Sequence, residues 1–429
     1  MTVPLEDWLG ARLAAAGEDD LRAYQWRRLR ETVAWAQTHS PFYRRRLAGI
    51  VTANLDGPSA LATLPFTSAA ELRAGEPPFL CVSQSEISRV VTLETSGTSG
   101  VPKRLYFTDE DQASTLDFFH HGMAVLARPG DRVLILFPCR RAGGIGDLLA
   151  GALRRLGAIP FSAGPVVDVA QTLALIAREH IDVIAGVPRQ LRALARHGAS
   201  HGCSPVGVRA VLLSADQAAP ALVEDLRHSW RCEVYEHYGM TEMGLGGGVD
   251  CAAHDGYHLR EADLLFEVVA PDSGLPVADG EYGEVVFTTL NRRGMPLIRY
   301  RSGDISRFLP GRCACGSRLR RLERVRRRLG DPVPPPLDRL SLDLLDDALF
   351  ALDDVVDFTA TVRRQPATTL AIAVQLVAPG DAGALARARA ALLRIPAIGE
   401  AAHAGVSLEL ALLPPPSPPP LAKRTLRME

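Results

Sequence analysis

The chain has no run of about 18 apolar residues, which argues against a membrane-spanning helix. Its start, Met1-Thr2-Val3-Pro4-Leu5-Glu6-Asp7, lacks the basic and apolar regions of a secretory signal, so the expectation is a cytoplasmic protein. Net charge is nearly absent, −1 over 429 residues, and offers no basic field to a nucleic acid. Seven cysteines, an odd and scattered set, make no disulfide framework and suit a reducing compartment. No internal repeat is visible, and the phosphate loop G-x-x-x-x-G-K-[ST] is missing as well. What is present, 47% hydrophobic and 23% charged residues, is the composition of a globular protein. The length exceeds one ordinary core, so two or more domains are expected.

Residues 5 to 47 read as helices, with Leu21, Trp26, Leu29, Val33 and Trp35 at near-helical spacing as core and a stop at Ser40-Pro41. Two β-branched stretches, Ser88 to Leu93 and Arg104 to Thr108, then predict strands, and a helix opens near Asp109. From Val133 to Tyr235 short apolar strands alternate with amphipathic helices, the signature of a parallel sheet covered on both faces. From Tyr257 the texture changes to Leu264–Val269 and Gly283–Thr289, whose turn-bounded spacing predicts an antiparallel layer. Arginines from Arg318 to Arg328 and the prolines Pro332 to Pro336 mark a linker, followed by a small α+β unit. The expected fold is therefore α/β. A large N-terminal domain over residues 1–328 holds the parallel sheets and antiparallel layer, and a small mobile α+β domain covers 329–429.

Chemistry concentrates in four places. Between the first two strands lies Glu94-Thr95-Ser96-Gly97-Thr98-Ser99-Gly100-Val101-Pro102-Lys103. Glycines and hydroxyls supply donors for an anion and Lys103 supplies charge, which is chemistry for a triphosphate. Tyr235-Glu236-His237-Tyr238-Gly239-Met240-Thr241-Glu242 follows a buried-type strand, where α/β sheets place ligands. There Glu242 suits Mg²⁺ on a triphosphate and Tyr238 suits a purine face, although a strand-end turn with a solvated glutamate has the same appearance. In Tyr300-Arg301-Ser302-Gly303-Asp304 the aspartate is placed to accept from ribose hydroxyls, or to make an ordinary turn. Cys251 and His258, with Cys313 and Cys315 roughly sixty residues on, form the soft, closed donor set of a structural Zn²⁺ site, with His254 as the rival imidazole.

Together and in this order these strings resemble the adenylate-forming superfamily of acyl- and aryl-CoA ligases, and within it the phenylacetate–CoA ligase family. Further matches are Ser40-Pro41-Phe42-Tyr43 and Leu64-Pro65-Phe66-Thr67-Ser68. The resemblance implies that Thr95, Ser96, Gly97, Thr98, Ser99, Gly100 and Lys103 hold ATP phosphates. It gives Glu236, His237, Tyr238 and Gly239 to the nucleotide, Thr241 to the α-phosphate, Glu242 to Mg²⁺ and Asp304 to ribose. Ser214-Ala215-Asp216 falls where such enzymes line the adenine pocket with a Gly-Glu pair. Lys423 falls in the C-terminal loop that supplies a lysine during adenylation, and a zinc-type cluster is similar to that of the family. The implied reaction activates a small carboxylic acid as an acyl-adenylate with release of pyrophosphate, then transfers it to CoA.

The hinge departs from the family pattern. Arg328 and Asp331 match a Gly-Arg-x-Asp-Asp motif, but Arg327 replaces its glycine and prolines follow at once. Three readings result: a carboxylate–CoA ligase, an adenylating ligase with an amine or carrier-thiol acceptor, and a nucleotide-binding scaffold. Phe137, Phe161, Tyr235, His237 and Gly246-Gly247-Gly248 are candidates for an acyl pocket, and the resemblance points to an aryl or arylacetic acid. A homodimer is compatible with all three readings.

Overall fold

Asp20 starts the longest helix, its carboxylate accepting from the Ala23 N–H at 2.7 Å. This helix, Leu21–His39 (α2), follows a shorter one at Pro4–Ala15 (α1). Ser40 both closes α2 and caps Pro41–Arg46 (α3), so the expected stop is a junction between two helices. Leu29 and Val33 are fully enclosed as expected, whereas Trp26 and Trp35 lie half-buried at the edge of the core. The structure, a computed structural model, describes residues 4–74, 79–93, 102–202, 207–325, 327–329, 333, 335–364, 367–377, 382–413, 424 and 426–429. Among them no helix is long and apolar enough to cross a membrane.

The chain forms two compact units, one of Met1–Val125, Arg141–Leu156 and His237–Arg328, the other of Leu126–Arg140, Gly157–Glu236 and Leu329–Glu429. In the first, short helices Pro58–Leu61 (α4) and Ala69–Arg73 (α5) lead to an antiparallel pair, Arg89–Leu93 (β1) and Lys103–Phe107 (β2). Ser68 and Glu71 make the capping box of α5. Leu93 pairs with Lys103, so both ends of the expected phosphate loop are anchored in one ladder. Thr108 and Asp111 make a second capping box, which opens Asp109–Met123 (α6).

The expected alternation follows: Arg132–Ile135 (β3), Ile145–Leu156 (α7), Ile159–Ser162 (β4), Val169–Arg178 (α8), Val183–Gly186 (β5), Pro188–Ser200 (α9), Ala210–Leu213 (β6), Pro220–Trp230 (α10) and Glu233–Tyr238 (β7). In the second unit these strands form a parallel sheet in the order β4-β3-β5-β6-β7. Every residue of β5 and β6 is buried, as apolar strands covered on both faces must be.

The antiparallel strands belong to the first unit: Gly248–Val249 (β8), Tyr257–Leu259 (β9), Leu264–Val269 (β10), Gly283–Thr289 (β11), Tyr300–Ser306 (β12), Phe308–Leu309 (β13), Arg321–Leu322 (β14) and Arg327–Arg328 (β15). One layer runs β10-β11-β12-β15, and its β11–β12 register is interrupted between Glu284 and Val286. The second unit ends with Leu342–Phe350 (α11), Val355–Arg363 (β16), Thr369–Leu376 (β17), Ala382–Leu393 (α12), Pro396–His403 (α13), Ser407–Leu412 (β18) and Arg427–Met428 (β19). Its own sheet runs β18-β17-β16-β19.

The second unit has one continuous apolar core. Ile184, Val211 and Leu226 share it with Leu345, Phe358 and Ile372, so the C-terminal α+β segment is packed directly onto the parallel sheet and its helices. Arg192 of α9 is fully buried in this core, with donors on Asp225 (2.6 Å) and the carbonyls of Leu352 (3.0 Å) and Val355 (2.8 Å). Burial pushes its guanidinium down to about 10. Arg192→Met removes one donor from Asp225, which keeps Arg196 at 2.8 Å, and one from each carbonyl, of which Leu352 keeps the Val355 N–H at 3.3 Å, and should lower unfolding free energy by about 1–3 kcal/mol in a denaturant titration.

Candidate active site and metal centre

Glu242 lies on a single 3-10 turn, Thr241–Met243, directly after β7. A side chain at Gly239 would meet the Leu245 carbonyl at 2.4 Å, so only glycine lets the chain turn this tightly. The Glu242 carboxylate is 5% exposed and ion-paired through Oε1 to Lys103, the first residue of β2. The Tyr300 hydroxyl donates to the same Oε1 at 3.1 Å and lies 3.4 Å from the Lys103 ammonium. Arg292 Nη1 holds the Glu242 main-chain carbonyl at 2.7 Å. Burial works to raise the Glu242 carboxyl, but the Lys103 charge, with hydrogen bonds from Lys103 and Tyr300, outweighs it and holds the group below its ordinary value.

Asp304 is built by the interruption in the β11–β12 ladder. Gly303 adopts φ +77°, its N–H donates to Glu284 at 3.0 Å, and Ser302 Oγ accepts from the Asp304 N–H at 3.0 Å. The Asp304 carboxylate is buried, one oxygen accepting from Tyr238 at 3.0 Å and the other from Arg328 at 2.6 Å. Burial, and then the Asp304 charge, push the Tyr238 phenol well up, so it keeps its proton and donates. The Tyr238 ring lies stacked on Tyr257, with centroids 5.8 Å apart. His237 is enclosed by the rings of Phe118 and Phe119; desolvation, and then the charge of Arg260, lower its imidazole to about 4. At Gly246 a Cβ would lie 2.4 Å from Phe118, so the glycine run makes room for that ring.

The first unit thus brings together Lys103, Glu242, Tyr238, Asp304 and Arg328 with Gly239 and half-buried Thr241. Ser214, Ala215, Asp216 and Glu236 belong to the second unit; Ala215 has φ 72°, and Ser214 and Glu236 are buried. Thr95, Ser96, Gly97, Thr98, Ser99, Gly100 and Lys423 lie outside the described residues. Sequence reasoning gave no role to Tyr300 or Arg292. Tyr300 opens the very string that ends in Asp304, while nothing near Arg292 announces its contact with a residue fifty positions earlier.

The metal-type cluster assembles at the other end of the β8–β9 ribbon. His258 is in β9, between partners Val249 of β8 and Arg321 of β14, and is fully buried. Cys313 and Cys315 come from the turn closed by the Gly316 N–H to Cys313 carbonyl bond of 3.0 Å. All four donor atoms of Cys251, His258, Cys313 and Cys315 fall within 4.8 Å of one another. Cys251 and Cys313 sulfurs are 3.6 Å apart, and Cys315 Sγ is 3.3 Å from His258 Nε2. Tetrahedral Zn²⁺ places such donors about 3.4–3.8 Å apart, so the residues fit the ion. His254 is not in the group; its Nδ1 is 2.7 Å from Asp250.

The AMP-binding enzyme family matches residues 50–291. A phenylacetate-coenzyme A ligase of Thermus thermophilus is 30% identical over 360 residues, which cover 81% of this chain and 79% of its own. The Escherichia coli phenylacetate-coenzyme A ligase is 30% identical over 336 residues, 74% of each chain. Among solved structures, 2-hydroxyisobutyryl-CoA ligase in its postadenylation state with R3-HIB-AMP shares the fold at TM-score 0.78 and 22% identity, covering 94% of this chain and 88% of that one. The chain belongs to the AMP-binding enzymes, in their phenylacetate–CoA ligase-like family.

Proposed function

We propose that this AMP-forming acid–CoA ligase takes an aryl or arylacetic acid as its carboxylate substrate. The observation that carries the catalytic reading is the Lys103–Glu242–Tyr300 cluster, a buried charge pair tuned by one hydroxyl. In the first half-reaction a carboxylate oxygen of the acid attacks the α-phosphorus of ATP. The bond to the bridging oxygen breaks, and pyrophosphate leaves with the electron pair. Lys103 and the Thr95–Gly100 loop hold the phosphates, Thr241 the α-phosphate and Asp304 the ribose. Ser214, Ala215, Asp216, Glu236 and Tyr238 serve the adenine side. Glu242 would hold Mg²⁺, which when bound neutralises charge on the phosphates. Such displacement depends on positioning and charge more than on covalent help. In the second half-reaction the CoA sulfur attacks the acyl carbon and AMP departs.

The aromatic substrate is supported by the neutral His237 between Phe118 and Phe119, which offers ring faces and no charge. It is also supported by the phenylacetate specificity carried in the names of the relatives. We further propose that residues 329–429 bring Lys423 to the reaction and that the protein works in the cytoplasm, since the six described cysteines form no disulfide. The test is pyrophosphate release from ATP with phenylacetate, benzoate and aliphatic acids, with CoA present or omitted. Aryl acids should be preferred, thioester should form only with CoA, and Lys103→Ala and Lys423→Ala should each lower release by about 100-fold or more. Unchanged release in both variants would sink the residue assignment.

A further inference from the structure

Arg189, one turn before Arg192 on α9, is buried and faces two carboxylates that lie far apart in the sequence. Its Nη1 donates to Asp357 of β16 at 2.8 Å, and its Nε lies 3.7 Å from Asp216 in the turn after β6. Asp216 follows Ala215, whose left-handed backbone aims this turn, and its other oxygen accepts from the neighbouring Gln217 N–H at 3.0 Å. Asp357 sits where the β16–β17 register shifts, and Arg424 adds a second cation nearby, paired in bidentate fashion with Asp346 of α11. Two buried carboxylates and the partly buried Asp216 therefore face two guanidiniums, and Arg189 joins Asp216 to the C-terminal sheet.

We infer that Arg189 is a positioning residue for ATP: it holds Asp216 in register for the nucleotide and makes that register depend on Asp357 of the C-terminal segment. The inference rests on the proposed adenine-side role of Asp216. A guanidinium can serve both carboxylates through different nitrogens, whereas a lysine ammonium reaches one and leaves the other buried without its partner. Loss of either end of the bridge should then be felt at the other. Asp357 would influence nucleotide binding without touching nucleotide, through a single side chain.

The test uses full-length enzyme and pyrophosphate release with ATP titrated at saturating acid. Asp216→Asn, Asp357→Asn and Arg189→Lys should each raise the KM for ATP about tenfold, with kcat and the KM for acid changing much less. The double variant Asp216→Asn/Asp357→Asn should be no worse than Asp216→Asn alone, since both act through one guanidinium. Arg192→Lys, at the same depth on the same helix but without a bond to Asp216, should lower the melting temperature and leave the KM for ATP unchanged. A raised KM in Asp216→Asn with a wild-type KM in Asp357→Asn and Arg189→Lys overturns the inference and leaves the proposed function standing. A wild-type KM in all three removes Asp216 from the nucleotide and the inference with it. A KM raised equally in Arg192→Lys reduces Arg189 to a structural ion pair. Arg189→Lys decides the matter if Asp357→Asn does not fold.

Discussion

Glu242→Gln should cut acid-dependent pyrophosphate release by about three orders of magnitude, with the KM for acid nearly unchanged. The side chain keeps its shape and can still accept from Tyr300, and Arg292 still holds the main-chain carbonyl, so the turn is preserved. What disappears is the charge. The Lys103 side chain, only 13% exposed, then loses the Glu242 charge, and Mg²⁺ loses the carboxylate proposed to hold it. A buried pair broken on one side costs about 3 kcal/mol or more, so the variant should also melt earlier. The pH dependence gives a separate reading of the same pair. Because the Glu242 carboxyl is held below its ordinary 4.5, its contribution to stability is complete above that value and is lost as pH falls through the lower folded value. Thermal melts from about pH 7 down to about pH 3 should show an acid-side loss in the wild type that Glu242→Gln lacks. Equal acid slopes in the two proteins would remove the Lys103–Glu242 charge pairing.

The strings that were legible are those whose chemistry is local. Glu242 and Tyr238 are four residues apart, and Asp304 lies four residues after Tyr300, so a strand, a tight turn and a carboxylate could be read together. Parallel strands were legible for the same reason: β5 and β6 are short apolar runs that burial on both faces demands. The charged core of the second unit was not. Nothing local in Pro188-Arg189-Gln190-Leu191-Arg192 announces buried arginines, and their partners, Asp225, Leu352, Val355 and Asp357, lie 33 to 168 positions away. No periodicity carries that information; only the closed core does. The sequence named His258 and kept His254 as its rival, and local pattern alone does not separate the two. Both are imidazoles on the right side of Cys251, and what separates them is that Asp250 engages one while strand pairing turns the other towards the sulfurs.

If Cys251, His258, Cys313 and Cys315 hold Zn²⁺, its removal should unfold part of the first unit rather than abolish one catalytic step. Cys251, His258, Cys313 and Cys315 tie together three separate pieces: the segment after β8, the strand β9, and the turn between β13 and β14. β13, β14 and β8 have two residues each and β9 three, so ladder hydrogen bonds alone give this ribbon little stability. A closed S₃N set would leave Zn²⁺ no open position for substrate, so such an ion would contribute to folding. Purified enzyme should therefore contain about one zinc per chain by elemental analysis, and Cys313→Ser should lose most of it. Chelation should lower the melting temperature by about 10 °C or more, with the loss reversed by added Zn²⁺. His254→Ala should keep its zinc, because that imidazole is committed to Asp250, whereas His258→Ala should not. The ribbon also carries β8, which pairs with His237 and Tyr238 directly before the Glu242 turn. Loss of zinc should accordingly raise the KM for ATP in enzyme that is still folded at low temperature. Metal-free protein with an unchanged melting temperature, or zinc retained in Cys313→Ser and His258→Ala, would overturn the assignment of these four residues.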